Sequence, residues 1–390
     1  MIYVGIDIAK DKHDCYITNE NGEVLHSAFT IKNDREGFDS LYNRILIYIK
    51  KGEDVKVGLE ATGHYSYNLL GYLTDKGLTT YVINPLHTSF YRKSLSLRRT
   101  KTDSIDAHTI ASMLMSDVDL QSYTDILLRT DKLKSLTRYR YDLVRERAKL
   151  KTSVSRLITI LFPELETIVS SLFQASIKAM LIRYPNAVYL RNADVYELAE
   201  LLSEASHGHH GITMAMAIKK KAEESIGSDL PAKSLELRHT LQLIGDMDRG
   251  IKEIEEEIKV IMNEIDSPIV TIPGISYGVG ALILAEIGDI NRFDSPDKLL
   301  AYAGLSPSTY QSGKIDNPYA HMEKRGSKYL RYALFNATKY VCIWDSNFAA
   351  YNAKKVKEGK HYNVAISHSA KKLVRLIYHL IKNNEPYNGQ

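Results

Sequence analysis

Cysteine is almost absent: Cys15 and Cys342 are the only two in 390 residues. They have neither the number of a disulfide framework nor the spacing of a metal site, so a reducing, cytoplasmic setting is expected. No run of about eighteen apolar residues occurs, which argues against a membrane-spanning helix. The first apolar run starts at Ile2, leaving no room for a signal peptide. Also missing is a small phosphate-binding turn after Gly5-Ile6-Asp7. Ile8-Ala9-Lys10 stands there instead and no second phosphate loop is visible, which argues against a sugar-kinase or actin-like ATPase.

The apolar fraction of 44% suffices for globular cores, and the length calls for two or three domains. Net charge is only +4, so its distribution matters more than its sum. Arg92, Lys93, Arg98, Arg99 and Lys101 form one basic run without an acid. Lys314, Lys324, Arg325, Lys328, Arg331 and His321 form a second, against Asp316 and Glu323. Such patches suit a polyanion.

Four carboxylates stand out. Asp7 ends the apolar run Ile2–Ile6, and Glu60 closes a second, Val55–Leu59, leading into Ala61-Thr62-Gly63. Asp103 and Asp106 are three apart, ahead of a helical stripe of Ala107, Ile110, Ala111 and Leu114. Each alone reads equally well as a cap or turn residue, and Asp103 as an acid favoured by the helix dipole. Together, two strand ends and one helix start delivering four acids to one point would repel each other unless a divalent cation joined them. Hard oxygen ligands suit Mg²⁺, with Mn²⁺ an alternative, and paired ions can clamp a phosphodiester. Metal-dependent phosphoryl transfer is therefore the leading reading.

Residues 1–128 read as α/β. Strands at Ile2–Ile8, His13–Thr18 and Val24–Thr30 precede a helix at Gly37–Lys50 and a strand at Val55–Glu60. A helix at Tyr65–Leu73, a strand at Thr80–Ile83 and the Asp103–Met115 helix complete the unit. A three-strand meander followed by alternating helix and strand is the order of a ribonuclease H-type, RuvC-like domain. Residues 129–163 and 235–265 read as coiled-coil helices. Leu133, Leu136, Leu143, Leu150, Val154, Leu157 and Leu161 fit a heptad, with Arg140 and Arg147 at two of its core positions. The second stripe runs Leu237, Leu241, Ile244, then Met247, Ile251, Ile254, Ile258, Ile261 and Ile265, with a stammer at Met247. Residues 131–160 hold nine Lys/Arg against three Asp/Glu, and 236–264 hold four against eight. That complementarity predicts an antiparallel hairpin or a dimer seam. Residues 164–234 read as a helical insertion, with His207-Gly208-His209-His210 as a polar loop rather than a metal site.

Residues 266–390 read as a mainly helical C-terminal domain. Ile272-Pro273-Gly274 through Gly278 leads into an apolar helix, like a helix-hairpin-helix element whose backbone N–H groups face a DNA phosphate. Gly274, Gly278, Arg98, Arg99, Lys101, Lys324, Arg325 and Lys328 are the candidate nucleic-acid contacts.

The motifs Gly5-Ile6-Asp7-Ile8-Ala9-Lys10, Glu60-Ala61-Thr62-Gly63, Asn84-Pro85, Lys101-Thr102-Asp103-Ser104-Ile105-Asp106-Ala107, Ile272-Pro273-Gly274, Ala303-Gly304-Leu305-Ser306-Pro307, Gln311-Ser312-Gly313 and Lys324-Arg325-Gly326 occur in that order. In them the chain resembles transposases of the insertion-sequence-110 family, the bridge-RNA-guided recombinases. The resemblance covers residues 1 to about 160 and 235 to the end, leaving the 164–234 insertion outside it. It implies a Mg²⁺-binding set of Asp7, Glu60, Asp103 and Asp106, and a nucleophilic serine at Ser312. It also implies donor and target DNA as substrates, a structured guide RNA, and homodimers assembling to a tetramer. Without the resemblance, Ser312 reads as a turn serine, with Ser306, Ser308 and Ser327 as alternatives. Two rivals remain: a RuvC-like nuclease or resolvase with water as nucleophile, and a non-catalytic DNA-binding scaffold.

Overall fold

The computed structural model describes residues 1–60, 64–95, 103–116, 120, 125–307, 311–312, 315–316 and 322–389. The side chains of residues 86, 95, 103–104, 125–129, 311–312 and 315–316 lie outside that description. The chain divides into two compact units, Met1–Leu128 and Arg129–Gln390.

In the first unit the elements run β1 (Ile2–Ile8), β2 (Lys12–Asn19), β3 (Val24–Lys32), α1 (Arg35–Ile49), β4 (Val55–Glu60), α2 (Tyr67–Asp75), β5 (Thr79–Ile83), α3 (Pro85–Leu95) and α4 (Asp103–Met115). The sheet order is β3-β2-β1-β4-β5, antiparallel from β3 to β1 and parallel from β1 through β5. This is the ribonuclease H-type arrangement that the element order predicts. Helix α3 is an addition to that order; proline at its first position needs no helical N–H partner and suits a helix start.

Alternation along the strands separates two faces. Val4, Ile6 and Ile8 of β1, with Val57 and Leu59 of β4, join Phe38, Leu41 and Ile45 of α1 and Leu69 and Leu73 of α2 in one core. Asp34 caps α1 by accepting from the Gly37 N–H at 2.8 Å. The opposite face carries Gly5 and Gly58. A Cβ on Gly5 would lie 2.1 Å from the Ala107 carbonyl oxygen, and one on Gly58 would lie 2.9 Å from Ile110 and Leu114 side-chain carbons. Helix α4 therefore lies directly on the sheet there, with Ala107, Ile110 and Ala111 fully buried.

The second unit is helical. Its α5 (Asp125–Leu161) is followed by α6 (Ala175–Arg183), α7 (Ala187–Asn192), α8 (Val195–Ala205), α9 (Ile212–Glu223) and α10 (Pro231–Ile265). Next come α11 (Tyr277–Ile287), α12 (Pro296–Tyr302), a two-residue pair β6 (Gln311–Ser312) and β7 (Ile315–Asp316), α13 (Lys328–Trp344), α14 (Ser346–Lys357) and α15 (Tyr362–Asn383).

Helices α5 and α10 run antiparallel within one chain. Arg140 pairs with Glu255, Arg147 with Asp248 at 2.5 Å, and Arg156 with Glu236 at 3.2 Å. The arginines at core heptad positions thus meet acids of the other helix. The apolar stripes are largely consumed inside the chain. Val154, Leu157, Leu161, Leu237, Leu241 and Ile244 pack with α6–α9. Leu133, Ile254, Ile258 and Met262 pack with the C-terminal helices. Leu143, Leu150 and Met247 in the middle of the pair, and Leu136, Ile261 and Ile265 nearer one end, are half-buried. The 164–234 insertion is a small helical bundle whose ends meet, the Ser228 N–H donating to the Ile160 carbonyl at 2.9 Å. No helix among the described residues is long and apolar enough to cross a membrane.

Candidate active site

Asp7 lies two residues beyond Gly5 and Glu60 two beyond Gly58, so both belong to the sheet face that α4 covers. Tyr16 stands opposite Gly5 in β2 and meets the His108 ring of α4 edge-on at 4.9 Å, which fixes the same face independently. Asp106 precedes the Ala107 whose carbonyl faces Gly5, and Asp7 is about 7 Å further along the strand. Buried Asp106 is ion-paired with Arg92 of α3. Asp103 opens α4; its side chain is outside the described residues. Among the described residues, no group of three His, Cys, Asp or Glu side chains forms a metal-holding cluster. The donor chemistry nonetheless fits a hard cation, because every acid on this face offers only oxygen.

Sequence reasoning missed Asp14. It pairs in register with Asp7, accepts from the Thr30 hydroxyl at 2.6 Å and lies 3.7 Å from the Lys12 ammonium. Only the β1–β2 register reveals it. Arg92, which opens the first basic run, is not free for a polyanion but tied to Asp106. Arg98, Arg99 and Lys101 lie outside the described residues, as do Ala61, Thr62 and Gly63.

The candidate serine sits on a clamped excursion of the second unit. Residues 302–307 run beside 322–327. The Glu323 N–H donates to the Ser306 carbonyl at 3.1 Å, the Lys324 N–H to Gly304 at 3.2 Å and the Ser327 N–H to Tyr302 at 2.9 Å. Arg331 donates to the carbonyls of Ala303 and Lys324, at 3.3 and 3.1 Å. Gly304 and Gly326 both have positive φ, and a Cβ on Gly326 would lie 2.1 Å from the Tyr302 carbonyl oxygen. Between these segments, Ser312 pairs with Ile315 in the β6–β7 turn.

Ser327 is occupied otherwise. Its hydroxyl donates to Glu286 at 2.6 Å and accepts from the Leu330 N–H at 3.1 Å as the cap of α13. Arg138 of α5 reaches the same buried carboxylate through two bonds, at 2.6 and 3.1 Å. Burial pushes Glu286 up, but the bonds from Arg138 and Ser327 outweigh it and hold the carboxyl below its usual range. A charged residue inside the apolar run 281–287 was the overlooked sequence signal.

Lys324, Arg325 and Lys328 are exposed at the base of this excursion. Gly274 has a packing role that a helix-hairpin-helix reading does not foresee: its φ is +90°, and a Cβ there would lie 2.7 Å from the Tyr340 carbonyl carbon of α13. At Gly278 the nearest atoms to such a Cβ belong to the Arg140 guanidinium, at 3.8 Å.

Two family models match the chain. One for DEDD transposases of IS110 elements, described as "Transposase", matches residues 4–163. One described as "Transposase IS116/IS110/IS902 family" matches residues 266–353. The chain is 24% identical to an insertion element IS116 protein of 44.8 kDa from Streptomyces clavuligerus, over 98% of this chain and 95% of that protein. It is also 24% identical to a pilin gene-inverting protein of Moraxella lacunata, over 99% and 97%. A transposase for insertion sequence element IS1111A from Coxiella burnetii is 24% identical over 98% and 90%. Among solved structures, Thermus thermophilus RuvC with a Holliday junction substrate aligns at 13% identity, over 32% of this chain and 99% of that one, with a TM-score of 0.24. With the motifs in family order and models matching both ends, this chain belongs to the IS110 family of transposases.

Proposed function

We propose that this transposase cuts and rejoins donor and target DNA through Ser312, assisted by the acids Asp7, Glu60, Asp103 and Asp106, with sequence choice supplied by an element-encoded structured RNA. The observation that carries the acid half is the glycine-lined packing of α4 on β1 and β4, which puts Asp7, Glu60 and the start of α4 on one sheet face. Those four carboxylates would hold Mg²⁺, which supplies Lewis-acid polarisation of a phosphodiester when bound.

In the serine half, the Ser312 oxygen forms a bond to phosphorus as the phosphodiester's bond to one DNA oxygen breaks. The serine proton leaves and that DNA oxygen gains one, so the two phosphoesters balance and no nucleotide triphosphate is consumed. Ser327 is unsuited to the role because its hydroxyl is committed to Glu286 and to the α13 cap. The RNA reading rests on the family resemblance and on the exposed Lys324, Arg325 and Lys328.

The deciding experiment traps the reaction and maps the protein–DNA bond. Wild-type protein is expected to yield a DNA adduct at Ser312, and Ser312→Ala neither adduct nor recombination while still binding DNA. Continued strand cleavage by Ser312→Ala would instead mean that water is the nucleophile. Sequencing RNA that co-purifies with the protein tests the guide: the reads should map to DNA flanking the gene, and random cellular RNA would remove that part.

A further inference from the structure

The root of the serine excursion and one face of α15 enclose a cavity of about 320 Å³, lined by Leu305, Pro307, Met322, Val364, Ser367, His368 and Lys371. The last four fall at helical positions i, i+3, i+4 and i+7, one stripe of α15. Neighbouring Ala365, Ile366, Ser369 and Ala370 turn into the core.

Among the described residues no carboxylate lines this cavity, and its surroundings are rich in cations. Residues 354–375 contain seven Lys/Arg against a single acid, Glu358. Glu358 is engaged by Lys355 at 2.8 Å, and Arg375 is drawn to Asp297 at 3.0 Å. Burial, then Lys371, Lys355 and Lys360, press His368 below its usual value, and burial with Arg375 does the same to Lys371. An anion in the cavity would relieve this crowding. Ser367 donates its own proton to the Asn363 carbonyl at 2.8 Å, leaving Lys371 and His368 as the donors. The stem wall (Leu305, Pro307 and Met322) is apolar and offers no side-chain partner to a 2′-hydroxyl, which favours deoxyribose over ribose.

We propose that this cavity binds one backbone phosphate of the DNA strand that runs past the serine excursion, with the phosphate on Lys371 and His368 and the sugar against Leu305, Pro307 and Met322. The assignment rests on the excursion being the strand-processing element.

The test measures binding of DNA oligonucleotides across a salt series, with wild type, Lys371→Ala, Lys371→Arg and Ser312→Ala. Lys371→Ala should weaken binding several-fold and flatten the log–log salt slope by about one unit, because one phosphate is no longer neutralised. Lys371→Arg should restore both. Neutral methylphosphonates placed one at a time along the DNA should then reveal one position that weakens wild type several-fold and leaves Lys371→Ala unaffected. An unchanged slope, or equal losses at every position in both proteins, would overturn the site. A defect confined to RNA of the same sequence would assign the cavity to RNA and overturn it for DNA. Adduct formation is assayed in parallel and should be lost in Ser312→Ala, so a missing serine adduct and a missing phosphate site register separately.

Discussion

Gly5 and Ala107 meet backbone to backbone: the carbonyl oxygen of Ala107 occupies the place that a Gly5 side chain would need. One methyl group there must push α4 off the sheet or bend β1, because neither neighbouring atom belongs to a movable side chain. Gly5→Ala is expected to cost the first unit about 3 kcal/mol. It should also lower DNA cleavage, since Asp106 moves with α4. Denaturant midpoints for wild type and variant check the first part; equal midpoints would mean that the helix shifts freely.

Asp7→Asn, Glu60→Gln, Asp103→Asn and Asp106→Asn are each expected to abolish strand cleavage, and EDTA to do the same to wild type. Asp106→Asn differs from simple relief of repulsion, because it leaves the Arg92 guanidinium without its charged partner. A stability loss of about 2 kcal/mol is expected for that variant. Cleavage by wild type in EDTA would remove the metal assignment.

Glu286 gives the second unit an acid-sensitive lock. Its carboxyl is held below the ordinary glutamate value of 4.5 in the folded chain. The stabilisation is therefore present above that value and is lost as pH falls through the lower folded-state value. Glu286→Gln should flatten this acid limb and cost about 2 kcal/mol near neutrality, a figure reduced because Arg138 is partly exposed. Ser327→Ala removes a cap and a donor to the same carboxylate, and should cost about 1–2 kcal/mol while leaving adduct chemistry at Ser312 intact. Thermal melts from neutral pH down to about 3 separate these variants.

Ile258→Asp places a charge in the core shared by α10 and the C-terminal helices. Unfolding of the second unit is expected, not clean separation of folded subunits. Sedimentation paired with circular dichroism distinguishes the two, and a folded, smaller species would assign Ile258 to an interface between copies.

Neutralising Arg98, Arg99 and Lys101 together should weaken nucleic-acid binding and reduce the salt slope by about one unit for each phosphate they neutralise. An unaltered slope would mean that these side chains do not touch the backbone.

Periodicity made much of the fold legible. Buried strands β1 and β4 announce themselves as apolar runs, and α4 is bounded in sequence as it is in space because Asp103 and the Ala107–Leu114 stripe mark it. What escaped depends on register or on partners distant in sequence. Asp14 counts as a site-face acid only once β2 is aligned with β1, and Arg92 looks free until α3 is folded beside α4. The heptads mark two long helices of opposite charge. Heptad spacing alone could not say that most of the apolar positions would be covered by the insertion and the C-terminal helices.

The two ends of the insertion between α5 and α10 are bonded to each other, Ser228 to the Ile160 carbonyl and Ser225 and Ile226 to the Glu164 carboxylate. A segment tethered this way can be gained, lost or exchanged without redirecting the two helices that carry it. Their ends, however, have adapted to its presence: Val154, Leu157, Leu161, Leu237, Leu241 and Ile244 share one core with α6–α9. A shortened transposase with a tight turn in place of 164–227 would need polar residues at those of these positions that it uncovers. Without them, trimming the loop would convert a hidden core into an adhesive tip.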